Sequence, residues 1–345
     1  MPRKSKAQVE TVETEPETEV AAPLAMNLLN YIPTPNLPGF QAMFKGVPDR
    51  AITAFLGAPG ACKSMMAFQL AVEVALQREG NIVIFDTENN WQQYTELAAG
   101  LNVRLGTSLN PVLVRGAVKE TGQKESRKLS IEWEFESEPV DGATNIFVIQ
   151  EPDFEPISVL HGRASNLKIF DSGKFKSIMD DAGWIANILE APICQFLDSY
   201  NVKTILYDSI TNPLDEIPAV GENFPARADM TQSWMIQIQK IAARYKMPIL
   251  ATFHESKNDT NPFAKSLKIE GGKGVAYNVK FCVYLLVQNE PGLLPKGAAK
   301  SRPLATDERA MFIARHAGRG PWRSVTYFQI SETEDQTPAG LIEAE

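Results

Sequence analysis

Cysteine and histidine are scarce in this chain, three of each among 345 residues. Cys62, Cys194 and Cys282 are far apart, each inside an apolar segment. That spacing builds neither a disulfide framework nor a metal-binding finger, and fits three buried thiols. Long apolar runs are missing too. No stretch reaches the ~18 residues of a membrane span, and the opening MPRKSKAQVETVETEPETEV lacks the apolar centre of a signal peptide. The expectation is a chain that neither inserts in a membrane nor is secreted, with the cytoplasm as its compartment. Positive charge is in deficit: 34 Lys and Arg face 42 Asp and Glu, a formal net charge of -8. A surface uniformly basic for nucleic acid is thereby excluded, although a local basic patch is not.

What is present falls into four segments. Residues 1–23 start basic (Arg3, Lys4, Lys6) and continue with glutamates among Thr, Val and Pro. With almost no large apolar side chains to offset the ordering entropy, disorder is expected. Residues 24–50, including LAMNLLNYIPTPNLPGF, form an apolar lead-in broken by prolines, suited to docking on the core or on a neighbouring subunit. Residues 51–330 carry the core, and the acidic end 331–345 is expected to be a second disordered tail.

Within the core, continuous apolar runs end in polar residues: AITAFLG, NIVIFDTE, TNIFVIQE, VKTILYDS and MPILATFHE. Such runs suit parallel strands covered by helices on both faces. Between the first two, Ala67, Leu70, Ala71, Val74 and Ala75 recur at helical spacing until Gly80. The fold class is therefore α/β, with a mostly parallel central sheet flanked by helices. An excursion at about 104–143 contains LSIEWEFESE, where Ile131, Trp133 and Phe135 alternate with glutamates. It predicts one arm of an inserted β-hairpin. VKFCVYLLVQ and SVTYFQI supply late strands.

The stretch AFLGAPGACKSMMAFQ leaves the first strand and enters the first helix. It fits the phosphate loop G-x-x-x-x-G-K-[ST] except at its second glycine, which is Cys62. Such a loop aims successive backbone N–H groups and a helix N-terminus at phosphate oxygens. The lysine, Lys63, reaches the outer phosphates, and the hydroxyl of Ser64 helps hold Mg²⁺. Cysteine is compact enough for the substituted position provided that its dihedrals stay normal for an L-residue. Two strand-terminal acids fit the same chemistry. Asp208, closing KTILYDS, would join Ser64 at Mg²⁺; Glu88, in VIFDTE, would orient or activate water.

These residues, in this order, resemble the RecA-type recombination ATPases, most of all the phage UvsX branch, in which the glycine before the loop lysine is also replaced. The resemblance runs from about Asn36 to Ile330. It rests on GAPGACKS, IFDTE, ILYDS, NIFVIQEPDFEP, the stretch from ITNPLDEIPAVGENF to ILATFHESK, and KIEGGKGVAYNVKFCVYLLVQ with its Gly271-Gly272 pair. It implies a RecA-like P-loop core that binds ATP and Mg²⁺ through Gly57, Ala58, Pro59, Gly60, Ala61, Cys62, Lys63, Ser64 and Met65. Tyr94 would stack on adenine, with a buried helix tyrosine as its alternative. His254 would sense the γ-phosphate. Arg315 and Arg319, in FIARHAGRGPWRS, would reach a neighbouring subunit's nucleotide, so that turnover depends on assembly into a filament or ring.

The resemblance also implies DNA-binding loops. Lys257, Lys265, Lys268 and Lys273 cluster after the sensor strand with Phe263 among them, and Arg227 lies in the other loop. Flexible lysines give salt-sensitive, sequence-tolerant contact with phosphates, and Phe263 could stack on or separate bases. The expected partners are single-stranded DNA, further copies of the chain, and single-strand-binding or loader proteins. The acidic tails would compete with DNA for the same cations. A DnaB-like hexameric helicase core and a KaiC-like ATP-binding scaffold without DNA work are the alternatives.

Overall fold

The apolar runs fold as their patterning requires, because a strand apolar on both faces is stable only with helices above and below it. The computed structural model describes residues 30–121, 128–150, 192–210, 224–254, 279–287, 304–316 and 325–344. A short antiparallel pair, β1 (Tyr31–Ile32) and β2 (Val47–Pro48), brackets helix α1 (Pro38–Phe44). The core follows as β3 (Ile52–Leu56), α2 (Lys63–Arg78), β4 (Asn81–Asp86) and α3 (Trp91–Leu105). Next come β5 (Leu109–Thr121), β6 (Lys128–Phe135), β7 (Thr144–Ile149), α4 (Pro192–Ser199) and β8 (Val202–Asp208). The chain ends with α5 (Phe224–Tyr245), β9 (Ile249–Thr252), β10 (Phe281–Leu286), β11 (Glu308–His316), β12 (Val325–Glu332) and β13 (Pro338–Glu343).

The described strands β3 to β13 form one sheet in the order β13-β12-β11-β10-β3-β9-β8-β4-β7-β5-β6. From β10 to β5 every pairing is parallel. The two borders, β11–β13 and β6, are antiparallel additions. The expected parallel sheet flanked by helices is present. Alternate residues of one strand serve opposite cores: Val83 and Phe85 pack with Phe196, Trp234 and Ile238, whereas Ile82 and Ile84 pack with Phe68, Leu70 and Leu101. Helix α2 thus lies sandwiched, with every residue from Met65 to Ala75 buried.

The inserted hairpin is also present. β5 pairs with β7 over residues 109–114, meets β6 as well at Val114, and continues with β6 alone from Arg115 to Thr121. Trp133 and Phe135 turn inward, with ring centroids 4.8 Å and 6.4 Å from Phe196. Glu132, Glu134 and Glu136 are exposed. In the described part of the lead-in, Phe40 and Phe44 are fully buried in the core and stacked, with centroids 4.5 Å apart.

The acidic end departs from expectation. Residues 331–345 are expected to be disordered, but 338–343 form β13, paired with β12 and lying against α2 and α3. Their apolar residues sit between the acids rather than being diluted by them. Ala339 and Leu341 are buried, and Gln69 of α2 bonds both polar groups of Leu341, donating to its O at 3.0 Å and accepting from its N at 2.7 Å. Arg104 donates to the same carbonyl at 3.0 Å. Gly100 permits the approach, since a Cβ there would lie 2.1 Å from the Pro338 carbonyl oxygen.

Candidate functional site

Parallel strands place all their C-terminal ends on one edge of the sheet, where loops and helix N-termini gather. β3 ends there in the phosphate loop. Gly57 (φ 149°) must be glycine, because a Cβ would meet the Leu285 carbonyl oxygen of β10 at 2.3 Å. The loop closes on itself through Ala61 N–H donating to Ala58 O at 3.1 Å, and Cys62 O accepts from Met66 N–H at 2.9 Å to start α2. The Lys63 ammonium lies across the loop, donating to Gly57 O at 2.8 Å and Ala58 O at 3.2 Å. Gly60 is exposed, and a Cβ there would meet nothing within 4 Å. Pro59 is exposed, Ala58, Cys62, Lys63 and Ser64 are half-buried, and Ala61 and Met65 are buried.

Cys62 does not keep ordinary dihedrals. It sits at φ 62°, ψ 31°, left-handed, as the N-cap of α2 without a side-chain cap. The glycine pattern demands this path whichever residue occupies it, so the cysteine carries ~1–2 kcal/mol of backbone strain.

β8 delivers Asp208 to the same edge, almost fully buried. The Tyr94 hydroxyl of α3 donates to its Oδ2, and the Thr252 hydroxyl of β9 donates to Oδ1 at 2.5 Å. Burial pushes the Asp208 pKa up, and hydroxyl hydrogen bonds from Thr252, Tyr94 and Ser64 pull against it. Tyr94 is therefore fully buried and engaged through its hydroxyl, so it does not offer its ring to a base. The alternative, a buried helix tyrosine, describes it. Beside Asp208 in register lies Asp86, equally buried, accepting from Asn90 N–H at 2.9 Å, Glu88 N–H at 3.3 Å and Gln150 Nε2 at 3.1 Å. These bonds fix the turn that presents Glu88.

Glu88 projects past β4, its Oε1 3.0 Å from His254 Nε2 just beyond β9. The His254 hydrogen bond, with burial opposing, holds the Glu88 pKa below the ordinary carboxylate value. β9 lies between β3 and β8 in the sheet and so carries Thr252 to the aspartate and His254 to the glutamate.

Arg227 falls in α5 by backbone position, and Arg315 falls in β11 opposite Cys282. Arg319, Lys257, Phe263, Lys265, Lys268 and Lys273 lie outside the described residues. Two residues at the site are not identified by sequence reasoning. Thr252 sits two residues before His254 in ILATFHE, so the strand period places both on one face and could have found it. Arg309 has no local signal: β11 brings it to the loop, where its Nε donates to Gly60 O at 3.0 Å.

No protein-family model matches the chain. Among solved structures it is similar to a KaiC-like protein from the hyperthermophilic archaeon Pyrococcus horikoshii OT3, at 11% identity and TM-score 0.49 over 92% of this chain and 100% of that one. It is similar also to the RadB recombinase, at 14% identity and TM-score 0.47 over 89% and 96% of the two chains.

Proposed function

We propose that the chain is a Mg²⁺-dependent ATPase of the RecA type that assembles on single-stranded DNA and promotes strand pairing or exchange. The observation that carries this is the meeting of a strand-loop-helix bearing Lys63 and Ser64 with Asp208 and the Glu88–His254 pair at one sheet edge. The residues fit a nucleotide and its ion: a helix N-terminus without acidic first-turn residues for phosphate, and a hydroxyl beside a buried carboxylate for a hard cation that keeps most of its waters. Bound Mg²⁺ and ATP would supply the phosphoryl group and neutralise its developing charge.

Lys63 turns from the Gly57 and Ala58 carbonyls to the outer phosphates. Ser64 and Asp208 supply oxygen and negative potential for the ion. Glu88, kept ionised by His254, orients the attacking water and takes up its proton. Arg315 and Arg319 complete a neighbour's site, so hydrolysis follows assembly. Lys257, Lys265, Lys268, Lys273 and Arg227 hold DNA phosphates, and Phe263 engages bases.

The test is ATP hydrolysis with and without single-stranded DNA, alongside imaging of the assemblies. DNA-stimulated turnover on helical filaments, abolished by Lys63→Ala, is the expected result. Turnover that persists in Lys63→Ala refutes the site. Closed rings point instead to a helicase, and DNA-independent behaviour to a scaffold.

A further inference from the structure

β11 runs antiparallel to β10, with Ala310 opposite Leu286. The start of β11 therefore returns to the sheet edge that carries the phosphate loop, and Arg309 is the side chain it brings. Its guanidinium is set in place by the start of β11 and the turn before it, NH1 donating to Thr306 O at 3.0 Å and Glu308 O at 2.7 Å. From that mount Nε donates to Gly60 O at 3.0 Å. The Gly60–Ala61 peptide is thereby held at both ends, since Ala61 N–H already donates to Ala58 O at 3.1 Å. Around this peptide the loop is strained and open. Gly60 (φ 78°) and Cys62 (φ 62°) are left-handed, and no heavy atom lies within 4 Å of the place where a Gly60 Cβ would be. The arginine also lies against the Cys62 thiol, lowering its pKa in part against the larger upward push of burial.

We propose that Arg309 is a positioning residue of the phosphate loop: it clamps Gly60–Cys62 in the left-handed path that a non-glycine residue would otherwise relax out of, and couples nucleotide affinity to β11. A loop with glycine at that position needs no such restraint, whereas one with cysteine does. A hydrogen bond from a guanidinium is among the stronger ones available to a backbone carbonyl. The coupling to nucleotide rests on the reading of this loop as an ATP site; the clamp itself does not.

The test uses two readouts. Cys194 and Cys282 are 1% and 0% exposed and Cys62 is half-buried, so titration of the native protein with an aromatic disulfide reports Cys62 alone. Two unreactive thiols also certify that each variant is folded. Loss of the Arg309 charge also raises the Cys62 pKa, so each thiol rate is divided by the thiolate fraction from its own pH titration; on that scale Arg309→Ala accelerates the Cys62 reaction and raises KM for ATP by about 10-fold or more with kcat little changed, and Arg309→Lys restores part of both. In a Cys62→Gly background, where the strain is gone, Arg309→Ala has a smaller effect on KM. An unchanged thiol rate in Arg309→Ala overturns the clamp. A faster thiol with unchanged KM overturns its coupling to nucleotide, and an equal KM effect in the Cys62→Gly background overturns the strain-relief argument. If Lys63→Ala keeps full turnover, the nucleotide reading fails while the thiol rates still decide the clamp.

Discussion

Tyr94→Phe separates two roles that a tyrosine at this position could have. The ring is fully buried against Phe68, with centroids 5.5 Å apart, and its hydroxyl donates to Asp208. Phenylalanine keeps the packing and creates no sizeable cavity, so the change isolates the hydroxyl. Asp208 then retains the Thr252 hydroxyl but loses one donor inside a nearly water-free pocket. Loss of a hydrogen bond to a buried charged group costs ~1.5–3 kcal/mol. Urea unfolding checks this: the midpoint falls while the slope stays constant, because the surface exposed on unfolding is the same. A tyrosine that merely stacked on adenine would tolerate phenylalanine, which stacks as well. An unchanged midpoint therefore refutes the buried-donor account. The Asp208→Asn background supplies the control, since the Tyr94→Phe cost there shrinks to that of a neutral hydrogen bond, ~0.5–1.5 kcal/mol.

Cys62→Gly keeps nucleotide binding by calorimetry, because glycine takes φ 62° without strain; the ~1–2 kcal/mol of relieved strain is partly offset by the freer unfolded chain. Lost binding would show that the thiol acts directly on nucleotide. His254→Ala moves the acid limb of the pH–rate profile to higher pH, since Glu88 loses the partner that holds its pKa down and is protonated earlier on acidification; a limb that stays put or moves down contradicts the pairing. Deleting residues 338–345 removes buried Leu341 and a whole sheet strand, so the unfolding free energy drops by more than the ~2–5 kcal/mol of a large-to-small core change. A trimmed protein of unchanged stability would restore the reading of this end as a solvated acidic tail.

The central strands were legible because burial on both faces leaves a run such as IVIFD no alternative to an interior position. The edge that carries the candidate site was legible for a related reason, as Asp208 and His254 follow an apolar residue of their strand runs directly and Glu88 follows the run IVIF after Asp86 and Thr87. Tyr94 shows where local reasoning stops. Its helix places it correctly, but whether its ring faces nucleotide or core depends on Asp208, 114 residues away. β13 is hidden in the composition of this segment, whose acids face outward, while two apolar residues at alternate positions suffice to bury a strand. Arg309 is invisible to motif spacing because a hydrogen bond spanning 249 residues is a property of register, not of sequence.

The parallel sheet has a consequence for synthesis. β3 and α2 are made early, yet Ile52 pairs with Ile249 and Thr53 with Phe281. At ~5–20 residues per second the ribosome needs roughly 10–40 s to bring Ile249 out after Ile52. For most of that interval the apolar surface of α2 has neither β8 nor β9 to lie on, and β9 is missing throughout. β13, which lies against α2 and α3, emerges after every other described strand. The nascent chain thus holds α2 without three of the strands it packs on, β8, β9 and β13, until long after the helix itself has been made.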